Sequence, residues 1–304
     1  MYRERSIAVL IPALNEEQSI AYVINELLAL KVCSGCGCAI ETHPQQKNEI
    51  SNKSITETGL STGGTCASGN HGHETVPLVD SIVLCDNGST DNTAAIAAEC
   101  GAIVIEEPEK GYGAACLAAM SIALDEDIIV FVDGDHSVDC TELPKLLEPL
   151  YAGADLVIGS RTLGNCESGA LSVPQILGNR LASALMRLIW KERVTDLGPF
   201  RAISNKVLSE LNMQDRQFGW TVEMQVRAFQ TKKHVVEVPV STLKRIGQSK
   251  ISGTVSGVIG ASKGILGTIA KLYWRELSGK FRPTASVNIA DKHVTRVRGN
   301  GKSA

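Results

Sequence analysis

The feature that most constrains this chain is the regular alternation of short apolar runs with segments of helical periodicity. Ile7 to Ile11, Ser81 to Cys85, Ile103 to Glu106, Ile128 to Val132 and Leu156 to Gly159 are rich in β-branched residues, as strands buried on both faces must be. Between them lie Ser19 to Leu30, Thr93 to Cys100, Gly111 to Leu124 and Leu143 to Tyr151; in the first, apolar residues fall at Ile20, Val23, Ile24, Leu27 and Leu28, which is helical spacing. Strand-helix alternation predicts an α/β fold with a mostly parallel central sheet flanked by helices and right-handed crossovers. Leu177 to Trp190 and a helix from Trp220 continue the pattern, and Val235 to Val240 reads as an edge strand because Pro239 lacks a donor.

Asp133-Gly134-Asp135 follows the strand ending at Val132. Carboxylates one residue apart at such a strand end can point into the crevice beyond the sheet, where open α/β folds bind ligands. Hard oxygen ligands there suit Mg²⁺ or Mn²⁺ carrying a diphosphate. A polar turn is the simpler account of the same residues.

With 304 residues, 43% hydrophobic and 21% charged, the chain has the composition of a globular enzyme. Net charge is −3, divided as −13 over residues 1–240 and +10 over residues 241–304. The cationic end points to phosphate groups or a lipid surface, or to a solvated basic tail over residues 278–304. No nucleic-acid partner is expected. No window reaches about 18 uninterrupted apolar residues, so the expectation is a cytoplasmic protein, at most peripheral on the inner face of a membrane. Nine cysteines, several inside apolar patterns, predict buried thiols rather than a disulfide framework.

Lys31 to Val79 breaks the rhythm, being far longer than ordinary α/β connections. It reads as a flexible insertion at residues 31–79 of a catalytic domain spanning 1–252. Cys33, Cys36, Cys38, Cys66, His43, His71 and His73 keep a zinc knuckle open, although the spacing is not paired cleanly. Residues 253–277 place Val255, Val258, Ile259, Ser262, Ile265, Leu266, Ile269, Leu272 and Tyr273 at helical spacing beside Lys263, Lys271 and Arg275. Such an amphipathic helix fits a membrane interface or a docked position equally.

Seven short motifs occur in one order: Pro12-x-x-Asn15-Glu16; Asp86-x-Gly88-Ser89-x-Asp91-x-Thr93; Lys110-Gly111-x-Gly113; Asp133-Gly134-Asp135; Gly159-Ser160-Arg161; Thr195-Asp196-x-Gly198-Pro199-Phe200-Arg201; and Arg245-x-Gly247-x-Ser249-Lys250. On these the chain resembles the family 2 glycosyltransferases of GT-A fold, in the branch similar to dolichyl- and polyprenyl-phosphate sugar synthases, over residues 7–30 and 80–252. The resemblance implies an inverting transfer of a hexose from a nucleotide-diphosphate sugar, of UDP-glucose or GDP-mannose type, to a polyprenyl-phosphate-like acceptor. A small soluble hydroxyl acceptor is the alternative.

The resemblance also implies roles. Pro12, Ala13, Asn15, Glu16, Asp86, Gly88, Ser89, Asp91, Lys110, Gly111, Asp133 and Gly134 would bind the donor, with Asp86 at the base. Asp133 and Asp135 would hold Mg²⁺ or Mn²⁺. Arg161, Arg180, Arg245, Ser249 and Lys250 would attend the diphosphate or an acceptor phosphate, consistent with the negative charge that accumulates on a leaving nucleoside diphosphate. Asp135 and Arg161 would be catalytic. Asp196 or Glu223 would act as base if the acceptor is a hydroxyl, whereas a lipid phosphate is already anionic and needs none.

Three departures accompany the match: Ser137 stands where the branch commonly has Gln, Asn87 replaces the second of two acids, and residues 31–79 are foreign to the pattern. A sugar nucleotidyltransferase would carry a Gly-rich basic loop where Pro12 to Glu16 stands. A dinucleotide oxidoreductase would need a complete glycine fingerprint after the first strand. A non-catalytic scaffold built on the same fold remains the third alternative.

Overall fold

The computed structural model describes residues 4–33, 39–40, 75–247 and 255–279, with backbone alone at 39, 40, 255–259 and 261. In chain order the elements are β1 (Ile7–Ala13), α1 (Ile20–Ala29), β2 (Lys31–Cys33), β3 (Ala39–Ile40), β4 (Thr75–Pro77), β5 (Ser81–Asp86), α2 (Thr93–Glu99), β6 (Ile103–Glu106), α3 (Tyr112–Met120), β7 (Ile128–Phe131), α4 (Leu143–Tyr151), β8 (Leu156–Ser160), α5 (Val173–Trp190), β9 (Arg201–Ser204), α6 (Asn205–Leu211), α7 (Trp220–Gln230), β10 (Val235–Pro239) and α8 (Val255–Leu277).

Seven strands form the main sheet in the order β10-β8-β9-β7-β1-β5-β6. All neighbours are parallel except β9, which runs antiparallel to both β7 and β8. Side chains along β1 alternate between two cores: Ile7, Val9 and Ile11 join α1 and α4 on one face, while Ala8 and Leu10 join α3, α6 and α7 on the other. The apolar runs are therefore continuous because both faces are covered.

A third cluster sets Ala182 and Met186 of α5 against Val222, Val226 and Phe229 of α7 and Ile269 and Leu272 of α8. In its described part the α8 stripe takes the docked one of its two open positions, with Ile269 and Leu272 buried and Ile265 and Leu266 partly so. The two ends of the 31–79 segment are built into the fold. There β2 pairs with both β3 and β4 in a small antiparallel sheet, and Val32, Cys33, Leu78 and Val79 are buried. Cys36, Cys38, His43, Cys66, His71 and His73, and the tail beyond residue 279, lie outside the described residues.

Because β1, β5, β7 and β8 run the same way, their C-terminal ends open on one edge, with Ala13 in register with Asp86. Antiparallel β9 brings the Thr195–Arg201 segment to that same edge. Every motif placed by the sequence gathers there, apart from Ser249 and Lys250, which lie outside the described residues.

Candidate active site

One wall of the crevice is built from the loops after β1 and β5, and their polar side chains brace one another. Asn15, held at φ 53°, donates its backbone N–H to Ser89 Oγ at 2.8 Å and accepts from Thr90 N–H at 2.7 Å. Glu16 N–H donates to Thr93 Oγ1 at 2.7 Å. Asp91 accepts from Glu17 N–H at 3.3 Å and from Thr93 N–H at 3.0 Å. Asp86, 7% exposed, accepts the Ser89 N–H at 3.2 Å and the Ser89 hydroxyl. Pro12 and Ala13 are buried in the strand itself. Asn15, Ser89 and Asp91 therefore shape this wall, and Asp91 is tied to backbone N–H groups on both of its oxygens.

Asn87, noted in the sequence only as a lost acid, anchors the next loop. Its amide donates to the carbonyls of Glu107 and Glu109 at 2.9 and 2.8 Å, and its carbonyl accepts Gly111 N–H at 2.7 Å. A carboxylate could not donate those two bonds. Gly111 has φ +154°, and a Cβ there would sit 2.1 Å from the Arg216 carbonyl, so the residue is required by close approach. Lys110 is exposed beside it, and Gly88, at φ +83°, turns toward its aliphatic stem.

At the floor, the two carboxylates of Asp133-Gly134-Asp135 face different partners. Tyr112 Oη donates to Asp133 at 3.1 Å. Burial, then the charge of Asp135, push the Asp133 carboxyl up to about 7. Asp135, 6% exposed, accepts from Ser137 N–H at 3.0 Å and pairs with the Arg245 guanidinium at 2.5 Å. The same guanidinium stands 3.8 Å from Glu16 Oε1, and its Nε is buried with no hydrogen-bond partner among the described residues. Ser19 Oγ donates to the Gly134 carbonyl at 2.7 Å and His136, at φ 55°, pairs with Glu26 at 2.8 Å. A cationic group thus already sits between two hard-oxygen acids, and that donor set fits a divalent ion. Among the described residues no three acid, His or Cys side chains converge on one point.

The opposite wall is built on ion pairs. Arg161 donates from Nε and Nη2 to the two oxygens of Asp196 at 2.8 Å each, and its backbone N–H adds a third bond at 2.8 Å. Burial opposes charge on Asp196, 1% exposed, yet Arg161 outweighs it and holds the carboxyl below its ordinary value. Asn179 of α5 accepts Leu197 N–H at 2.9 Å, and Glu237 of β10 accepts Thr195 N–H at 2.8 Å. Arg201 is buried beneath this turn and donates to the Gly198 and Thr221 carbonyls at 2.7 and 2.6 Å. Gln225 donates to the Asp196 carbonyl at 3.1 Å. The sequence placed Arg201 in a motif without a task, and it missed Gln225 and Glu237 altogether.

Two expected roles change. Glu223 is 4% exposed and fully committed: Oε1 pairs with Arg227 at 2.8 Å, while Oε2 accepts the N–H groups of Gln214 and Asp215 at 2.9 and 2.6 Å. It is a fastening for the turn before α7 and has no oxygen left to serve as base. Arg180 is exposed on the outer side of α5 instead of turning inward with Asn179.

The glycosyl transferase family 2 model matches residues 77–211. An uncharacterized glycosyltransferase of Mycobacterium tuberculosis is 37% identical over 187 residues, covering 60% of this chain and 84% of that relative. A dolichyl-phosphate hexose transferase of Haloferax volcanii is 33% identical over 181 residues, covering 58% and 75%. Among solved structures, glucosyl-3-phosphoglycerate synthase from Mycobacterium tuberculosis, in complex with Mn²⁺, UDP-glucose and phosphoglyceric acid, superposes with TM-score 0.61 at 21% identity, over 90% of this chain and 81% of that one. The mostly parallel sheet, the carboxylates and cations assembled at its C-terminal edge and these likenesses agree: the chain belongs to glycosyltransferase family 2, as a GT-A enzyme of the branch that holds the polyprenyl-phosphate sugar synthases.

Proposed function

We propose that the enzyme transfers a hexose, with inversion, from a nucleotide-diphosphate sugar to a polyprenyl phosphate. The observation that carries this is the commitment of both candidate bases. Asp196 is locked by Arg161 through three bonds, and Glu223 is locked by Arg227 and two backbone donors. A hydroxyl acceptor needs a base with a free oxygen near its proton. A phosphate monoester arrives as an anion, which Arg161 and Arg245 suit. The acceptor oxygen attacks the anomeric carbon, the bond from that carbon to the diphosphate oxygen breaks, and its electron pair leaves on the nucleoside diphosphate with no proton transfer required.

Asp135, with Glu16 and Asp133 nearby, would hold Mg²⁺ or Mn²⁺, which would neutralise charge on the leaving diphosphate. Pro12, Ala13 and Asp86 line the place for the nucleotide, and Arg245 would exchange Asp135 for phosphate oxygens. The name of the Haloferax relative supports the lipid acceptor. The complex of the structural neighbour with phosphoglyceric acid supports the second reading, a soluble phosphate-bearing acceptor.

The test is incubation with UDP-glucose or GDP-mannose, Mg²⁺ or Mn²⁺, and either a prenyl phosphate or 3-phosphoglycerate. Label should partition into organic solvent, and the product should carry the anomeric configuration opposite to the donor. Glycosylation of 3-phosphoglycerate alone overturns the lipid reading, and retained configuration overturns inversion.

A further inference from the structure

We propose that α5 seats the enzyme on an anionic lipid bilayer, an inference whose purpose rests on the lipid-phosphate reading while its observations stand apart from it. A helix on a protein surface ordinarily turns its polar side outward. α5 does the reverse: Val173 is 69% exposed, Leu177 58%, Leu181 51% and Leu188 76%, with Ala184 exposed between them. At 100° per residue these five positions fall within an arc of about 80°. Ala182, Ser183 and Met186 occupy the opposite side and are buried.

Charge selects the occupant. Arg180 and Arg187, both exposed, lie a heptad apart along one edge of the stripe, and exposed Lys191 and Arg193 follow the helix. No Asp or Glu occurs between Glu167 and Glu192, although the whole chain is net −3. Apolar side chains fringed by cations match the boundary between acyl chains and anionic headgroups. A two-fold pairing of α5 with a second copy would instead set arginines against arginines with no acid on the helix to relieve them. Exposed Trp274 and Leu277 end α8, which packs against α5, and no helix among the described residues is long and apolar enough to cross a membrane, so the contact is peripheral.

Position gives the contact a use. Asn179, on the inner side of α5, clamps the Thr195–Leu197 turn that holds Asp196 against Arg161. A bilayer on the outer side therefore lies roughly one helix diameter, about 10–12 Å, from the acceptor wall. A prenyl phosphate could leave its hydrocarbon in the membrane while its phosphate reaches Arg161.

The experiment is co-sedimentation of the full chain with vesicles of phosphatidylglycerol and phosphatidylcholine, free of prenyl phosphate, comparing wild type with the triple variant Leu177→Gln, Leu181→Gln, Leu188→Gln. Binding should fall at least about tenfold in the variant and be lost on pure phosphatidylcholine. Its melting temperature should hold, because the three side chains are exposed. In a second measurement, brominated lipid should quench the added fluorescence of Leu181→Trp and spare that of Leu124→Trp. Equal sedimentation of wild type and triple variant, unquenched Leu181→Trp, or a dimer that the triple variant dissociates without any vesicle binding would each overturn the proposal. A short-chain prenyl phosphate in solution separates the two readings. Its use by both proteins without vesicle binding sinks the seating alone, and vesicle binding without its use sinks the acceptor alone.

Discussion

The two walls of the crevice hold their shape by different means. The wall proposed for the donor, from Ala13 to Glu17 and from Asp86 to Thr93, is fixed by side chains that meet backbone N–H groups of the neighbouring loop. The wall proposed for the acceptor and the floor beside it are fixed by guanidinium–carboxylate pairs, Arg161 with Asp196 on the wall and Arg245 with Asp135 on the floor. Backbone donors cannot leave their acceptors without unfolding the loop, so the donor wall is preorganised and stays so. A guanidinium can trade a carboxylate for a phosphate of equal geometry, as Arg245 would with Asp135, while Arg161 keeps Asp196 on its Nε and Nη2 and offers its remaining edge to an arriving anion.

Substitutions on each wall test that difference. The largest effect is expected for Asp135→Ala, which removes the carboxylate paired with Arg245 at the floor. Turnover of the preferred sugar nucleotide should fall on the order of 10³-fold with an unchanged circular dichroism spectrum. Wild-type turnover in excess chelator would break the assignment. Next comes Arg161→Met, which leaves Asp196 buried without its partner. Chemical denaturation should show a loss of about 3 kcal/mol, and Arg161→Met with Asp196→Asn should recover most of it. Gly111→Ala probes the loop that Asn87 ties to the donor wall, because its Cβ would collide with the Arg216 carbonyl. A loss of about 2 kcal/mol and a raised KM for donor, with KM for acceptor unchanged, would sharpen the contrast; equal changes in both would erase it.

The smallest effect concerns His136, whose imidazole is held above its ordinary value first by its hydrogen bond to Glu26, against partial burial. A raised folded value means the stabilisation is full below the unfolded value of about 6.5 and fades as pH rises through the folded one. Glu26→Gln should therefore cost about 0.5 kcal/mol at pH 5.5, and less at pH 9, in metal-free denaturation curves. A larger cost at pH 9 would refute the linkage.

The sequence was most legible where burial on both faces writes a continuous apolar run, which located β1, β5, β6, β7, β8 and β10. It was silent on β9, a four-residue strand opened by an arginine whose burial is compensated by the carbonyls of Gly198 and Thr221 and by the Gln225 side chain. β2 to β4 are too short for a period to register. Asp135, Arg161 and Arg245 were found because motif order placed them, but whom they touch depends on loops far apart in the chain. Glu223 was misjudged despite a local sign, since Arg227 four residues on along a helix is the spacing of an ion pair. Arg180 and Asn179 are sequence neighbours, and only the rotation of α5 decides that one braces the site and the other meets the surroundings.

The small sheet of β2, β3 and β4 has a consequence for how this chain can vary. Lys31 pairs with Ile40 on one side and Pro77 on the other, so the two ends of the intervening segment are pinned about 10 Å apart, two strand spacings, beside the main sheet. Whatever is threaded between them enters and leaves through the same clasp. Added length there raises only a slowly growing closure entropy and shifts no register in β1 or β5. The clasp is thus a natural port, where a reporter or an affinity module can be spliced in and carried by the enzyme as cargo.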